Sequence, residues 1–195
     1  MNNHFVAAPQ PTLKRVADID GPDFYPTPAW ATYALIENEE FIGDTWEPAC
    51  GDGAMSNVLS ESSSKVRSSD LYDRGFGEIG IDFREATDRH TNVITNPPFN
   101  AAEDFVHSGL RCAKKKFALL LRLAFLEGAG RQKSIFNEKP PSKVWIFSER
   151  ITFYPKGAVR KGSGTTAYAW FVWDQDHIGG TELNWLPLGY KARYS

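Results

Sequence analysis

The stretch Thr45-Trp-Glu-Pro-Ala-Cys-Gly-Asp-Gly-Ala-Met55 carries the strongest fold signal in this 195-residue chain. A short β-rich run meets Gly51 and Gly53, and a helix-like run follows from Ala54. Glycine adopts positive φ and lets a ligand approach the backbone, so the pattern predicts a strand, a ligand-binding turn and a helix. Ser56 stands where a full dinucleotide fingerprint has its third glycine, which argues against pyrophosphate binding.

The same alternation continues along the chain and predicts an α/β fold with a mostly parallel twisted sheet and helices on both faces. The run from Phe117 to Phe125 is apolar at nearly every position, as expected for a central strand covered on both faces. The β-rich runs 143–150 and 167–174 have no helix between them and predict an antiparallel hairpin at one edge. The remaining predicted elements are strands over 66–72 and 91–95 and helices over 54–61 and 101–115.

The domain organisation is read as a polar N-terminal arm over residues 1–20 and one domain over residues 21–195. Two loop-like stretches, 125–143 and 155–166, interrupt that domain. No apolar run is long enough to span a membrane, and the polar start Met-Asn-Asn-His-Phe is a poor signal peptide, so we expect a cytoplasmic protein with no membrane partner. Two cysteines and four scattered histidines exclude a disulfide scaffold, and we expect no metal.

Charge is segregated along the chain although the net formal charge is only −2. Residues 1–99 carry 7 Lys and Arg against 16 Asp and Glu, whereas residues 100–195 carry 15 against 8. The segment from Arg111 to Lys161 holds 13 basic and 3 acidic residues, enough to neutralise several phosphates if they share a face. A solvated basic surface is the alternative interpretation.

Two acids follow the glycine turn at informative positions. Asp70 ends the next predicted strand, 19 residues after Gly51, where an acidic residue meets ribose hydroxyls in nucleotide-binding folds. Asp82 follows a further short segment. Ordinary helix caps and loop acids would give the same pattern.

The sequence Asn96-Pro-Pro-Phe99 follows a predicted strand directly. Prolines fix φ and lack an N–H, so they end the strand in a rigid turn rather than a helix. The side-chain oxygen of Asn96 beside a backbone carbonyl can accept both hydrogens of an amino group, and Phe99 offers a flat surface for a planar ring. The alternative is a common structural turn.

Together these motifs resemble S-adenosylmethionine-dependent DNA N6-adenine methyltransferases of the short kind carried by bacteriophages, in the γ order of motifs. The resemblance covers residues 23–128 best and implies a Rossmann-like class I methyltransferase fold. It implies catalytic roles for Asn96, Pro97, Pro98 and Phe99. It also implies cofactor binding by Tyr25, Thr27, Pro28, Glu47, Pro48, Ala49, Cys50, Gly51, Gly53, Asp70, Asp82, Phe83 and Asn96.

The resemblance implies methyl transfer to the exocyclic amine of adenine in DNA. The amine is hidden in a duplex, so the target base would be flipped out and stacked on Phe99, with a short or relaxed recognition sequence. Arg122 interrupts the end of an apolar strand, where ligands bind in such sheets, and is expected to contact DNA. In the two loop-like stretches the expected DNA contacts are Arg131, Lys133, Arg160 and Lys161.

Several alternatives share this chemistry or this fold. N4-cytosine methylation of DNA, adenine methylation of RNA and N5-methylation of protein glutamine all act on an amino or amide nitrogen. An inactive DNA-binding module would keep the fold alone. Carbon-5 cytosine methylation needs a Pro-Cys nucleophile, which this chain lacks, and the histidines lack the spacing of a zinc deaminase. The oligomeric state is left open.

Overall fold

A computed structural model describes residues 24–63, 65–154 and 164–194. The predicted arm 1–20, Arg160, Lys161 and most of the predicted loop 155–166 lie outside these residues. The helices are α1 (Ala29–Ile36), α2 (Ala54–Ser62), α3 (Ala102–Cys112), α4 (Ala129–Arg131) and α5 (Tyr190–Arg193). The strands are β1 (Thr45–Glu47), β2 (Val66–Asp70), β3 (Glu78–Ile79), β4 (His90–Thr95), β5 (Ala113–Arg122), β6 (Lys143–Phe147), β7 (Tyr168–Asp174) and β8 (Glu182–Leu186).

All eight strands form one sheet in the order β3-β2-β1-β4-β5-β7-β6-β8. Strands β1 to β5 pair in parallel, β7 runs antiparallel between β5 and β6, and β8 pairs in parallel with β6. The predicted α/β fold with a mostly parallel sheet is confirmed. The expected antiparallel pair is β6 with β7, but β8, which was not predicted, covers its outer side and forms the edge.

Strand β5 explains why the central apolar run has no alternation. Phe117, Leu119 and Leu121 point into one buried cluster with α3, while Ala118 and Leu120 point into another with α1 and α2. Each fully buried large side chain contributes about 1.5–3 kcal/mol to stability relative to an exposed position. Both faces of the sheet are therefore covered.

Two local predictions need correction. The predicted helix 101–115 ends at Cys112, and the following lysines lie on β5. Lys116 then forms ion pairs with the buried Glu39 at 2.5 Å and with Asp174 at 3.4 Å, so tertiary contacts override the helix propensity of the Ala-Lys-Lys-Lys run. The predicted loop 125–143 contains α4 and a further helical turn over Gln132–Phe136.

The parallel direction of β1, β2, β4 and β5 brings their carboxyl ends to one edge of the sheet. The motif residues Glu47, Asp70 and Asn96 and the basic Arg122 all stand at or just beyond these ends. In open parallel sheets this edge is where ligands bind. Across the described ranges, no helix has both the length and the apolar character needed to cross a bilayer.

Candidate active site

A cleft with a cavity volume of about 170 Å³ lies at this edge of the sheet. It is lined by residues at the ends of β1 and β2 and by the turn Asn96–Ala101. Of the predicted site residues, the cleft is lined by Tyr25, Thr27, Glu47, Pro48, Ala49, Cys50, Asp70, Asp82, Phe83, Asn96, Pro97, Pro98 and Phe99. The structure therefore brings the predicted cofactor and catalytic motifs together in one place.

The turn after β1 requires glycine at two positions. Gly51 and Gly53 have φ angles of 57° and 84°, in the left-handed region that disfavours other residues. A Cβ atom on Gly51 would collide with the ring of Phe24, and one on Gly53 would lie 2.6 Å from Phe76. Three residues that are predicted to bind the cofactor, Pro28, Gly51 and Gly53, are not among the residues that line the cleft. The carbonyl oxygen of Pro28 accepts the amide N–H of Ala31 at the start of α1.

Asp70 is fixed at the end of β2 by two backbone amides. Its Oδ2 accepts the N–H of Gly51 at 2.9 Å and its Oδ1 accepts the N–H of Tyr72 at 2.9 Å. The residue is only 7% exposed. Each carboxylate oxygen keeps acceptor capacity for a further donor, so Asp70 is a preorganised acceptor for hydroxyl groups in the cleft.

Glu47 is buried at the end of β1, where it accepts a hydrogen bond from Ser56, which also contacts Ser68 at 2.6 Å. Burial raises the pKa of Glu47 well above 4.5, and the nearby charge of Asp70 adds to the effect. Burial likewise raises the pKa of Cys50 to about 12, so its thiol is protonated at neutral pH and is a poor nucleophile.

We predict that Glu47→Gln is more stable than the wild type at pH 8. The folded protein keeps the Glu47 proton while the unfolded chain loses it above about pH 4.5, so wild-type stability falls as pH rises from there towards the folded pKa. The difference in the free energy of unfolding should vanish below about pH 4, measured by urea unfolding of both proteins from pH 3 to 9. A difference that does not change with pH would contradict a raised pKa.

Asp82 and Phe83, which are predicted to bind the cofactor, have different surroundings in the structure. Asp82 accepts the backbone and guanidinium N–H groups of Arg84, and this contact lowers the pKa of Asp82. Phe83 is only 1% exposed, with its ring 5.2 Å from both Trp46 and Phe105. Phe83 is therefore mainly a core residue under the cleft, and Asp82 stands at its rim.

Asn96 presents an acceptor that no described residue uses. Its Nδ2 donates to Thr27 Oγ1 at 3.1 Å, which orients the amide. Its Oδ1 is buried and has no hydrogen-bond partner among the described residues. A buried acceptor without a partner costs stability, so its retention beside a cleft points to a ligand that donates to it.

Phe99 belongs to an aromatic group that we name the Phe99 cluster: Tyr25, Phe99, Phe153 and Tyr168. The ring centroids of the other three lie 6.1–6.3 Å from that of Phe99. Phe153 and Tyr168 also pack edge to face at 5.0 Å. No sequence pattern singles out Phe153 or Tyr168, because they come from segments more than 50 residues beyond Phe99.

Arg122 stands on this cluster. Its guanidinium carbon lies 4.5 Å from the centre of the Phe99 ring, a cation–π contact. Arg122 is paired in register with Tyr168 across β5 and β7. Burial raises the pKa of Tyr168, and its interaction with Arg122 opposes that rise.

Arg131 and Lys133, which are also predicted to contact DNA, are not among the residues that line the cleft. Arg131 donates to the carbonyl oxygens of Phe125 and Glu127 and pairs with Glu103 at 3.3 Å, so its guanidinium mainly ties its own turn together. Lys133 is exposed on the adjoining helical turn. No sequence pattern singles out Arg74, which lines the cleft and whose guanidinium carbon lies 4.4 Å from the centre of the Phe24 ring.

No known protein family matches the sequence, and no curated protein matches it. Solved structures do. A proposed modification subunit of a type I restriction enzyme from Vibrio vulnificus is 16% identical, with a TM-score of 0.62 over 85% of this chain and 48% of that one. A proposed class I S-adenosylmethionine-dependent methyltransferase from Listeria monocytogenes is 13% identical, with a TM-score of 0.56 over 80% and 62%.

The fold is that of a class I methyltransferase. A proposed RNA methyltransferase from Pyrococcus horikoshii, 16% identical, also matches with a TM-score of 0.60 over 82% of this chain and 93% of that one. The expected Rossmann-like class I fold is thereby confirmed, and the expected cofactor agrees with the S-adenosylmethionine-dependent enzymes among these neighbours. The chain spans about half the length of the Vibrio subunit it matches.

Proposed function

We propose that the protein transfers a methyl group from S-adenosylmethionine to the N6 amine of adenine in DNA, after the base is flipped into the cleft. The observation that supports this most directly is the buried Asn96 Oδ1 without a hydrogen-bond partner, on the same cleft as Asp70 and the glycine turn. Asn96 would supply the acceptor for an amino group, and Asp70, which lines the same cleft, would supply the acceptor for the hydroxyls of a nucleoside.

The residues of the cleft fit S-adenosylmethionine better than a dinucleotide. The acidic side chains of Asp70 and Asp82 line the cleft, and they would repel a pyrophosphate but favour a ligand that carries net positive charge and ribose hydroxyls. Asp70 would hold the ribose, and the segment with Tyr25 and Thr27, which lines the same cleft, would face the methionine portion. When bound, the cofactor supplies an electrophilic methyl group on a sulfonium.

The turn that begins at Asn96 would hold the target amine. Asn96 Oδ1 and the carbonyl of the buried Pro97 would each accept one amino hydrogen, which localises the nitrogen lone pair that is otherwise delocalised into the ring. Two consecutive prolines keep these acceptors from relaxing towards each other. The protein then contributes position and electrostatics, and needs no general base with a tuned pKa before transfer.

DNA is proposed as the substrate because basic residues cluster in the second half of the chain, and because a structural neighbour is described as a modification subunit of a restriction enzyme. A target base inside a duplex must be unstacked, at a cost of a few kcal/mol. Phe99 lines the cleft, and its ring offers the apolar surface on which a flipped base would stack.

The test is incubation of the purified protein with isotopically labelled cofactor and unmethylated DNA, RNA or a cell protein extract, followed by mass spectrometry of the nucleosides and the amino acids. We expect labelled N6-methyldeoxyadenosine from DNA. Label in N4-methyldeoxycytidine would show that the target base is cytosine. Label in RNA adenosine would show that the substrate is RNA. Label in protein glutamine alone, insensitive to salt, would exclude a nucleic-acid substrate, because phosphate contacts make binding strongly salt-dependent.

A further inference from the structure

We propose that Arg122 covers the stacking face of Phe99 in the ligand-free protein and moves to a phosphate of the entering nucleotide, which exposes Phe99 to the target ring. This inference rests on the proposed function, because it assigns the Phe99 face to a planar ring that belongs to a nucleotide.

The geometry of the Phe99 cluster supports the first part of this proposal, that Arg122 covers the stacking face of Phe99. The three aromatic neighbours of Phe99 stand at centroid distances of 6.1–6.3 Å, whereas the Arg122 guanidinium reaches 4.5 Å. A guanidinium is planar and stacks on an aromatic face as a base does. A base cannot occupy the covered face while the guanidinium is there.

The charge of Arg122 supports the second part of the proposal, that its guanidinium moves to a phosphate of the entering nucleotide. Among the described residues, no carboxylate lies within 4.0 Å of the Arg122 guanidinium, which differs from Arg67, Arg84, Arg131 and Arg193, all of which have carboxylate partners. Arg122 is exposed at the carboxyl end of β5, beside the cleft. An arginine that keeps its charge without a carboxylate partner is suited to bidentate contact with a phosphate.

The free energies of the two contacts favour the move of Arg122 from Phe99 to a phosphate. An exposed cation–π contact changes an equilibrium by a factor of only about 2–5, whereas a charge-assisted contact with phosphate is worth about 10-fold or more. A neutral planar ligand would have to displace Arg122 without compensation, but a ligand that carries phosphate on its sugar would compensate for the lost contact. Arg122 therefore favours bases that arrive attached to a charged backbone over free bases and nucleosides.

The test uses a trinucleotide with a central 2-aminopurine, made either with charged phosphodiester linkages or with neutral methylphosphonate linkages. Stacking on Phe99 quenches 2-aminopurine fluorescence, so both probes report the same contact. For the wild type we expect the charged probe to bind about 10-fold more tightly than the neutral one. In Arg122→Gln the preference should fall to about 1, while the neutral probe binds about 2–5-fold more tightly than it does to the wild type.

Two further variants complete the design. Arg122→Lys keeps the charge but loses the planar stack, so it should retain most of the preference for the charged probe and also bind the neutral probe more tightly. Lys65→Gln removes an exposed cation just before β2, at the opposite edge of the sheet from the cleft, and should leave the behaviour of the wild type unchanged.

The outcomes separate this inference from the proposed function. If Arg122→Gln weakens the neutral probe, Arg122 contacts the base itself and the exchange is wrong. If quenching is normal but the preference for the charged probe is unchanged in Arg122→Gln, the phosphate contact is wrong while the role of Phe99 stands. If neither probe is quenched by the wild type, the Phe99 face does not receive a base, and the proposed target site fails together with the exchange.

Discussion

Replacing Asn96 by alanine is expected to reduce the turnover number for methylation by about 10²–10³-fold and to change the cofactor dissociation constant by less than about 3-fold. The substitution removes the buried Oδ1 acceptor, which the protein leaves without a partner, and the donor that contacts Thr27 at 3.1 Å. The lost interaction is made with the reacting amine, so the effect should appear in turnover rather than in cofactor affinity. The measurement is steady-state kinetics with calorimetric cofactor binding.

Two control variants define this result. Asn96→Asp keeps a side-chain acceptor at the same place and should retain far more activity than the alanine variant. Asn57→Ala changes an exposed asparagine on α2 and should behave as the wild type. If Asn96→Ala loses cofactor affinity and turnover in equal proportion, Asn96 acts in folding or in shaping the cofactor site, not at the target amine.

Replacing Asp70 by alanine is expected to produce the reverse pattern, a cofactor dissociation constant about 10–100-fold higher with turnover at saturating cofactor largely preserved. The carboxylate is the acceptor that the glycine turn holds in place through the N–H of Gly51 at 2.9 Å. Hydrogen bonds to a charged acceptor contribute about 1.5–3 kcal/mol each, which sets the scale of the loss. Calorimetric titration of the cofactor into both proteins measures it.

Asp73→Ala is the matched control for this experiment. Asp73 makes the same type of contact, from its carboxylate to the N–H of Gly75 at 2.9 Å, but it is exposed and does not line the cleft. Cofactor affinity should be unchanged in Asp73→Ala. Equal losses in both variants would show that the loop after β2, rather than the Asp70 carboxylate, determines affinity.

The parts of the site that could be predicted from sequence are those encoded by local chemistry. A strand followed by Gly51 and Gly53 can form only a few kinds of turn, and the two prolines after Asn96 permit only an extended, rigid exit from β4. The structure places both motifs and Asp70 around one cleft. The apolar run of β5 similarly predicts a strand covered on both faces, which the two buried clusters confirm.

The parts that could not be predicted depend on contacts between distant segments. Lys116 is on a strand because Glu39 and Asp174 pair with it, and neither partner is visible from the local run. Phe153 and Tyr168 reach Phe99 only once β7 is inserted beside β5. Arg131 is predicted from the sequence to contact DNA, but in the structure its guanidinium donates to the carbonyl oxygens of Phe125 and Glu127.

The central claim is that one cleft holds the cofactor at Asp70 and the target amine at Asn96 in line for transfer. The most direct measurement is a crystal structure of the protein with a non-reactive cofactor analogue and a short DNA containing a flipped adenine. We expect ribose hydroxyls on the Asp70 carboxylate, the adenine N6 donating to Asn96 Oδ1, and N6 about 3–3.5 Å from the position of the transferable group. A cofactor whose reactive end points away from the Asn96 turn would contradict it.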